Sequence, residues 1–106
     1  MKLLTKEIEA RFKKVGSQEE VKNPLVVAKF FDPTGQATWF ATEYDPKTKV
    51  FFGYVSLFNQ AGMNEWGYFS LEELESIRGK FGLGIERDMY CSTQTIKEWK
   101  KEMAIV

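Results

Sequence analysis

Leu25–Asp45 reads LVVAKFFDPTGQATWFATEYD. Two apolar, aromatic-rich runs flank Asp32-Pro33-Thr34-Gly35, so the stretch reads as a β-hairpin. Leu25 to Phe31 is nearly continuous in apolar residues, with Lys29 the exception, which suits a strand covered on both faces. Thr38 to Tyr44 alternates, with Trp39, Ala41 and Glu43 on one face and Thr38, Phe40, Thr42 and Tyr44 on the other. Asp45-Pro46-Lys47-Thr48 is a second turn, with Pro where type I turns favour it. Val50 to Phe58 follows as a third strand rich in Phe, Tyr and Val. Gly53 inside it marks a bulge or the close approach of another backbone. Links this short imply an antiparallel meander.

Outward from the hairpin the pattern turns helical. Leu4, Ile8, Phe12 and Val15 fall on one helix face, with Thr5 as N-cap and Gly16 as the stop. Ser17-Gln18-Glu19-Glu20 has capping-box spacing and predicts a further short turn. Glu65 to Phe69 adds a short strand. Ser70-Leu71-Glu72-Glu73 opens a second helix with Leu71, Leu74 and Ile77 as its buried stripe, running to Gly79 with Arg78 in the last turn. Ile85 to Tyr90 reads as a last strand. Thr95-Ile96-Lys97-Glu98 is another capping box, and Ile96, Trp99 and Met103 dock a C-terminal helix. The fold class is α+β: a three- to five-stranded antiparallel meander with helices packed on one face.

With 106 residues the chain forms one domain, 1–106, of ordinary globular composition: 43% hydrophobic, 15% aromatic and 28% charged. Met1-Lys2-Leu3-Leu4 opens no apolar signal segment, and no run approaches the roughly 18 apolar residues of a membrane span, so a cytoplasmic protein without membrane contact is expected. Histidine is absent and Cys91 is alone. That removes His-type zinc sites, Ser-His-Asp and Cys-His nucleophile systems and any disulfide framework. Net charge is zero but uneven. Residues 1–29 carry seven Lys or Arg against four acids, residues 30–76 two against seven, and residues 77–106 six against four. Nucleic-acid binders are normally basic overall, so nucleic acid is weakly supported as a partner.

Several groups invite a chemical interpretation. Glu43 and Asp45 are two apart on a strand and can share a face, but a cation needs more oxygens than these two supply. Asp45 also serves simply to start its turn. Arg87 in Glu86-Arg87-Asp88 can clamp a carboxylate or phosphate, or pair with Glu43 or Asp45 across the sheet. Gly79-Lys80-Phe81-Gly82-Leu83-Gly84 lacks the order of a phosphate loop and follows a helix rather than opening one. Cys91 precedes a helix start, which can activate a thiol, yet no histidine is present to serve as its base. No catalytic residue, metal ligand or cofactor is therefore expected. The strand region carries more rings, from Phe30 through Trp39, Tyr44, Tyr54 and Trp66 to Phe69, than one small core hides. Either one sheet face meets a partner or a second copy of the chain, or the core is fully packed and single rings stay scattered on the surface.

VVAKFFDPTG, TWFATEYDP, FFGYV, EWGYFSLEELESI and FGLGIERDMY, in this order and spacing, resemble an uncharacterised bacterial domain family, a domain of unknown function. The resemblance spans about Leu3 to Tyr90. It implies a small accessory protein of plasmids, phages and other mobile elements, a setting in which small proteins often inhibit host defence nucleases of the CRISPR or restriction type. The expected function is accordingly non-enzymatic binding of such a protein through an aromatic and acidic surface made by Trp39, Glu43, Tyr44, Asp45, Tyr54, Trp66, Arg87 and Asp88. Two alternatives stand beside it. One is a nucleic-acid module of plasmid transfer or maintenance using Lys13, Lys14, Lys97, Lys100 and Lys101. The other is a small hydrolase using Glu43, Asp45, Glu86 and Asp88, which requires those carboxylates to converge.

Overall fold

The computed structural model describes residues 2–57, 64–89 and 93–103. Helix α1 (Lys6–Val15) starts where the Thr5 hydroxyl accepts the Ile8 amide at 3.2 Å. It ends at Gly16, whose amide still donates to the Phe12 carbonyl at 2.9 Å and whose φ of 74° turns the following chain out of the helix. Strands β1 (Leu25–Val26), β2 (Ala28–Phe31), β3 (Thr38–Asp45), β4 (Val50–Ser56) and β5 (Asn64–Ser70) follow. Helix α2 (Leu71–Ser76), a single 3-10 turn (Lys80–Gly82), β6 (Glu86–Arg87), β7 (Gln94–Thr95) and α3 (Ile96–Glu102) complete the elements of the described residues.

The main sheet is antiparallel with spatial order β5-β4-β3-β2-β6, and β1 pairs with β7 in a separate two-stranded sheet. The fold is thus α+β, and β2 to β5 form the expected meander. The run from Leu25 to Phe31 is divided, however. Its first two residues pair with β7, while the Val27 amide still reaches the Ala41 carbonyl at 2.9 Å and keeps the chain on β3. β6 is shorter than the strand expected from Ile85 to Tyr90, whose last residue lies outside those described. Helix α2 stops at Ser76, because Ile77 takes up extended backbone. The Arg78 guanidinium instead donates to the Glu75 and Ile77 carbonyls at 2.7 and 2.8 Å, satisfying the helix end without prolonging it.

Gly53 carries both roles its sequence context suggested. The β3–β4 register shifts between Ala41 and Glu43, and a Cβ on Gly53 would lie 1.9 Å from the Phe40 carbonyl oxygen. This bulge alters the alternation expected for β3. Tyr44 joins the face of Trp39 and Ala41 and packs on Phe12 and Phe51, with ring centroids 5.8 and 4.7 Å away. Glu43, paired with Phe52, moves to the other face.

The two faces are covered differently. On the first, α1 and α2 bury Phe30, Trp39, Ala41, Phe51 and Phe69 beneath Ile8, Phe12 and Leu74. On the second, α3 lays Ile96 and Trp99 over Phe40, Tyr54 and Val26. The single-face placement of the helices holds for α1 and α2, whereas α3 packs opposite them. Its start carries a complete reciprocal capping box between Thr95 and Glu98. The Thr95 amide and hydroxyl, each donating to Glu98 Oε1 at 3.0 Å, hold the Glu98 carboxyl below its ordinary range. No described helix is long and apolar enough to cross a membrane.

Candidate protein-binding groove

Helix α3 covers only part of the second face. Beside it a groove of about 550 Å³ runs between the side chains of β3, β4 and β5 and the segment linking α1 to β1. Gln18 fixes the wall of that groove. It is 7% exposed, and its carboxamide donates to the Leu25 and Thr42 carbonyls, each at 2.8 Å, while accepting the Leu25 amide at 2.7 Å. One side chain thus ties the connecting segment to β1 and to the β3 bulge. The expected turn after Ser17 is present, with the Val21 amide on the Gln18 carbonyl at 3.0 Å.

The floor is aromatic. Phe52 stacks on Trp66 with centroids 5.9 Å apart and meets the Tyr68 ring edge-on at 4.9 Å. Trp66 in turn meets Tyr54 at 5.3 Å. Trp66 is 42% and Tyr68 79% exposed, so these rings form an apolar floor open to solvent. Glu19, Glu43 and Asp45 border the groove against one cation, Lys22, giving it a negative field. Asp45 also organises the β3–β4 turn, its Oδ1 accepting the Lys47 amide at 2.9 Å.

The adjoining part of this face already holds cations over rings. Lys29 Nζ lies 4.6 Å from the Trp99 ring centre, and Lys100 Nζ 4.7 Å from that of Tyr54. Lys29 is also paired with Asp88 at 3.2 Å.

Among the residues singled out from the sequence, Glu43, Asp45 and Trp66 come together in the groove, and Tyr44 contributes to its rim. Burial, with Glu9, Asp45 and Glu75 nearby, pushes the Tyr44 phenol above its ordinary pKa. Tyr54 is buried beneath Trp66 and Lys100. Trp39 is buried in the opposite face and offers no partner surface. Arg87 does not meet Glu43 or Asp45. It sits beyond β2 on β6 and donates to the Lys2 carbonyl. Glu86 and Asp88 border other concavities, so the four carboxylates of the hydrolase alternative do not converge.

Gly79 to Gly84 is a connecting loop. The amides of Gly79, Gly82 and Leu83 bond to carbonyls within it, and the Lys80 amide bonds to the Thr34 hydroxyl at 3.1 Å, so they are not turned toward an anion. Cys91 lies outside the described residues.

Sequence reasoning missed Gln18, Phe52 and Tyr68 as groove residues. Phe52 and Tyr68 were legible as ring-bearing strand residues, but their common face depends on the β4–β5 register. Gln18 carried no signal beyond its turn.

A family model described as "Protein of unknown function (DUF2958)" matches residues 3–104, extending through α3 beyond the Tyr90 limit of the sequence resemblance. No curated protein and no solved structure matches the chain.

Proposed function

We infer, from the premise that the chain belongs to this family of proteins of unknown function, that it is a non-enzymatic binding protein whose groove takes a basic segment of a partner protein. The proposed partner is a host defence nuclease of the CRISPR or restriction type, and the proposed setting a mobile element. The observation that carries this is the union of exposed Trp66 and Tyr68 with Glu43 and Asp45 in one groove. Aromatic anchors supply contact area at low entropic cost, and carboxylates steer a basic surface into register. Nuclease channels are basic because they hold nucleic acid, so an acidic groove is their electrostatic complement.

Nothing favours the nucleic-acid alternative equally. Lys13 and Lys14 belong to α1 and Lys97 and Lys101 to α3, helices on opposite faces of the sheet, and Lys100 lies over Tyr54.

The test is capture of purified CRISPR and restriction nucleases by the immobilised protein, with DNA cleavage measured in parallel. Binding and reduced cleavage are expected, both lost in the Glu43→Lys/Asp45→Lys double variant. Absence of binding across the panel with cleavage unchanged would overturn the proposal.

A further inference from the structure

Strand β5 ends the main sheet, and among the described residues no strand pairs with its outer edge. Such an edge presents a row of backbone donors and acceptors, and proteins usually blunt it with proline, charge, a bulge or brevity. The opposite edge is blunted by brevity, since β6 has two residues. β5 has seven residues, NEWGYFS, with no proline, one charge at Glu65, and unbroken one-to-one register with β4.

The sequence of this edge is also matched to itself. In an antiparallel pair of two β5 strands centred on Gly67, all seven residues find a counterpart. Trp66 then faces Tyr68 of the second copy, and Tyr68 faces its Trp66. Cross-strand aromatic pairs of this kind are among the most favourable in sheets. Glu65 faces Phe69, so no like charges oppose each other. Gly67 meets Gly67 on the axis, where, apart from Gly67 and its two chain neighbours, no described atom of the chain's own fold lies within 4 Å of a built Cβ.

We propose that the protein forms a two-fold dimer by antiparallel β5–β5 pairing centred on Gly67, joining two five-stranded sheets into one. The interface is isologous and closed, so growth stops at two copies. Because the axis passes through a residue position, residues of equal parity face each other and both copies turn the same sheet face to the same side. The two grooves then lie side by side, with Trp66 and Tyr68 of both copies forming one aromatic stripe. The pairing shares Trp66 and Tyr68 with the groove floor, but its mass and cross-linking tests need no groove ligand, so its failure and that of the groove proposal are told apart.

The experiment uses the full chain with Cys91→Ser, which leaves no native thiol. Sedimentation over a concentration series is expected to reach twice the 12.3 kDa monomer mass. A monomer throughout that series overturns the proposal without reference to any further variant. Gly67→Cys in the same background is expected to oxidise to a covalent dimer. Facing residues of an antiparallel pair have Cα atoms about 4.5–5.5 Å apart, within a disulfide's reach. Glu65→Cys is the register control, because its twin lies four positions from the facing residue, about 13 Å away. Rapid cross-linking at 67 and none at 65 supports the proposed register. Cross-linking at 65 as fast as at 67, or a dimer that never cross-links at 67, overturns it.

Discussion

The two faces of one sheet are built from similar residues and finished differently. Against α1 and α2, the first face packs Phe51 in ring contact with Phe12, Phe30, Tyr44 and Phe69, and Phe51 is fully buried. On the second face its neighbour Phe52 touches Trp66 and Tyr68, which stand open to solvent. Adjacent residues of one strand therefore serve different ends. Residues on the closed face hold the fold together, and those on the open half of the other face stay exposed, where the proposed partner would meet them.

Substitutions at these neighbouring positions should separate the two roles. Phe51→Ala leaves a large cavity and is expected to cost about 3–5 kcal/mol in urea unfolding. That is a large share of the roughly 5–15 kcal/mol typical of a domain. Gln18→Ala strands the Leu25 amide and the Thr42 carbonyl, and is expected to cost about 2–3 kcal/mol by the same measurement. It should also weaken groove binding, because the wall loses its tie. Trp66→Ala and Tyr68→Ala should each cost about 1 kcal/mol or less in stability, yet reduce partner affinity at least tenfold in titration calorimetry. Stability losses as large as that of Phe51→Ala would erase the distinction between the faces.

The smallest effects are pH-dependent. The Tyr44 phenol has its pKa raised in the folded state, chiefly by burial. The folded state therefore holds that proton more tightly than the unfolded chain does. The stabilisation is complete below pH 10 and declines as pH rises through the folded pKa; in Tyr44→Phe this part of the alkaline decline should disappear. Glu98 has the opposite sign. Its depressed pKa gives the α3 cap a contribution present above pH 4.5 and lost as pH falls through the folded value, measurable as fraying of α3 by hydrogen exchange.

Much of this architecture was legible in the chain because its signals are local. The caps at Thr5, Ser70 and Thr95 work through residues three positions away, and each forms as its spacing requires. Gly53 was legible for a related reason, since only a missing side chain admits the Phe40 carbonyl so closely. What escaped notice depends on distant pairing. The bulge at Ala41–Glu43 exchanges the faces of Glu43 and Tyr44, and no local pattern announces that exchange. Trp39 and Trp66 look equally available in the sequence, but α1 and α2 cover one face and leave the other partly open. Arg87 could have matched Glu43 or Asp45 by charge, yet strand order puts β6 beside β2 and away from them.

The most direct test of the division between the faces is a titration of isotope-labelled protein with an oligo-arginine peptide, followed by amide and indole resonances. Saturable shifts are expected at the Trp66 indole and at Glu43, Asp45 and Tyr68, with Trp39 and the α1–α2 face unmoved. Shifts centred on α1 and α2, or none that saturate, would contradict the account.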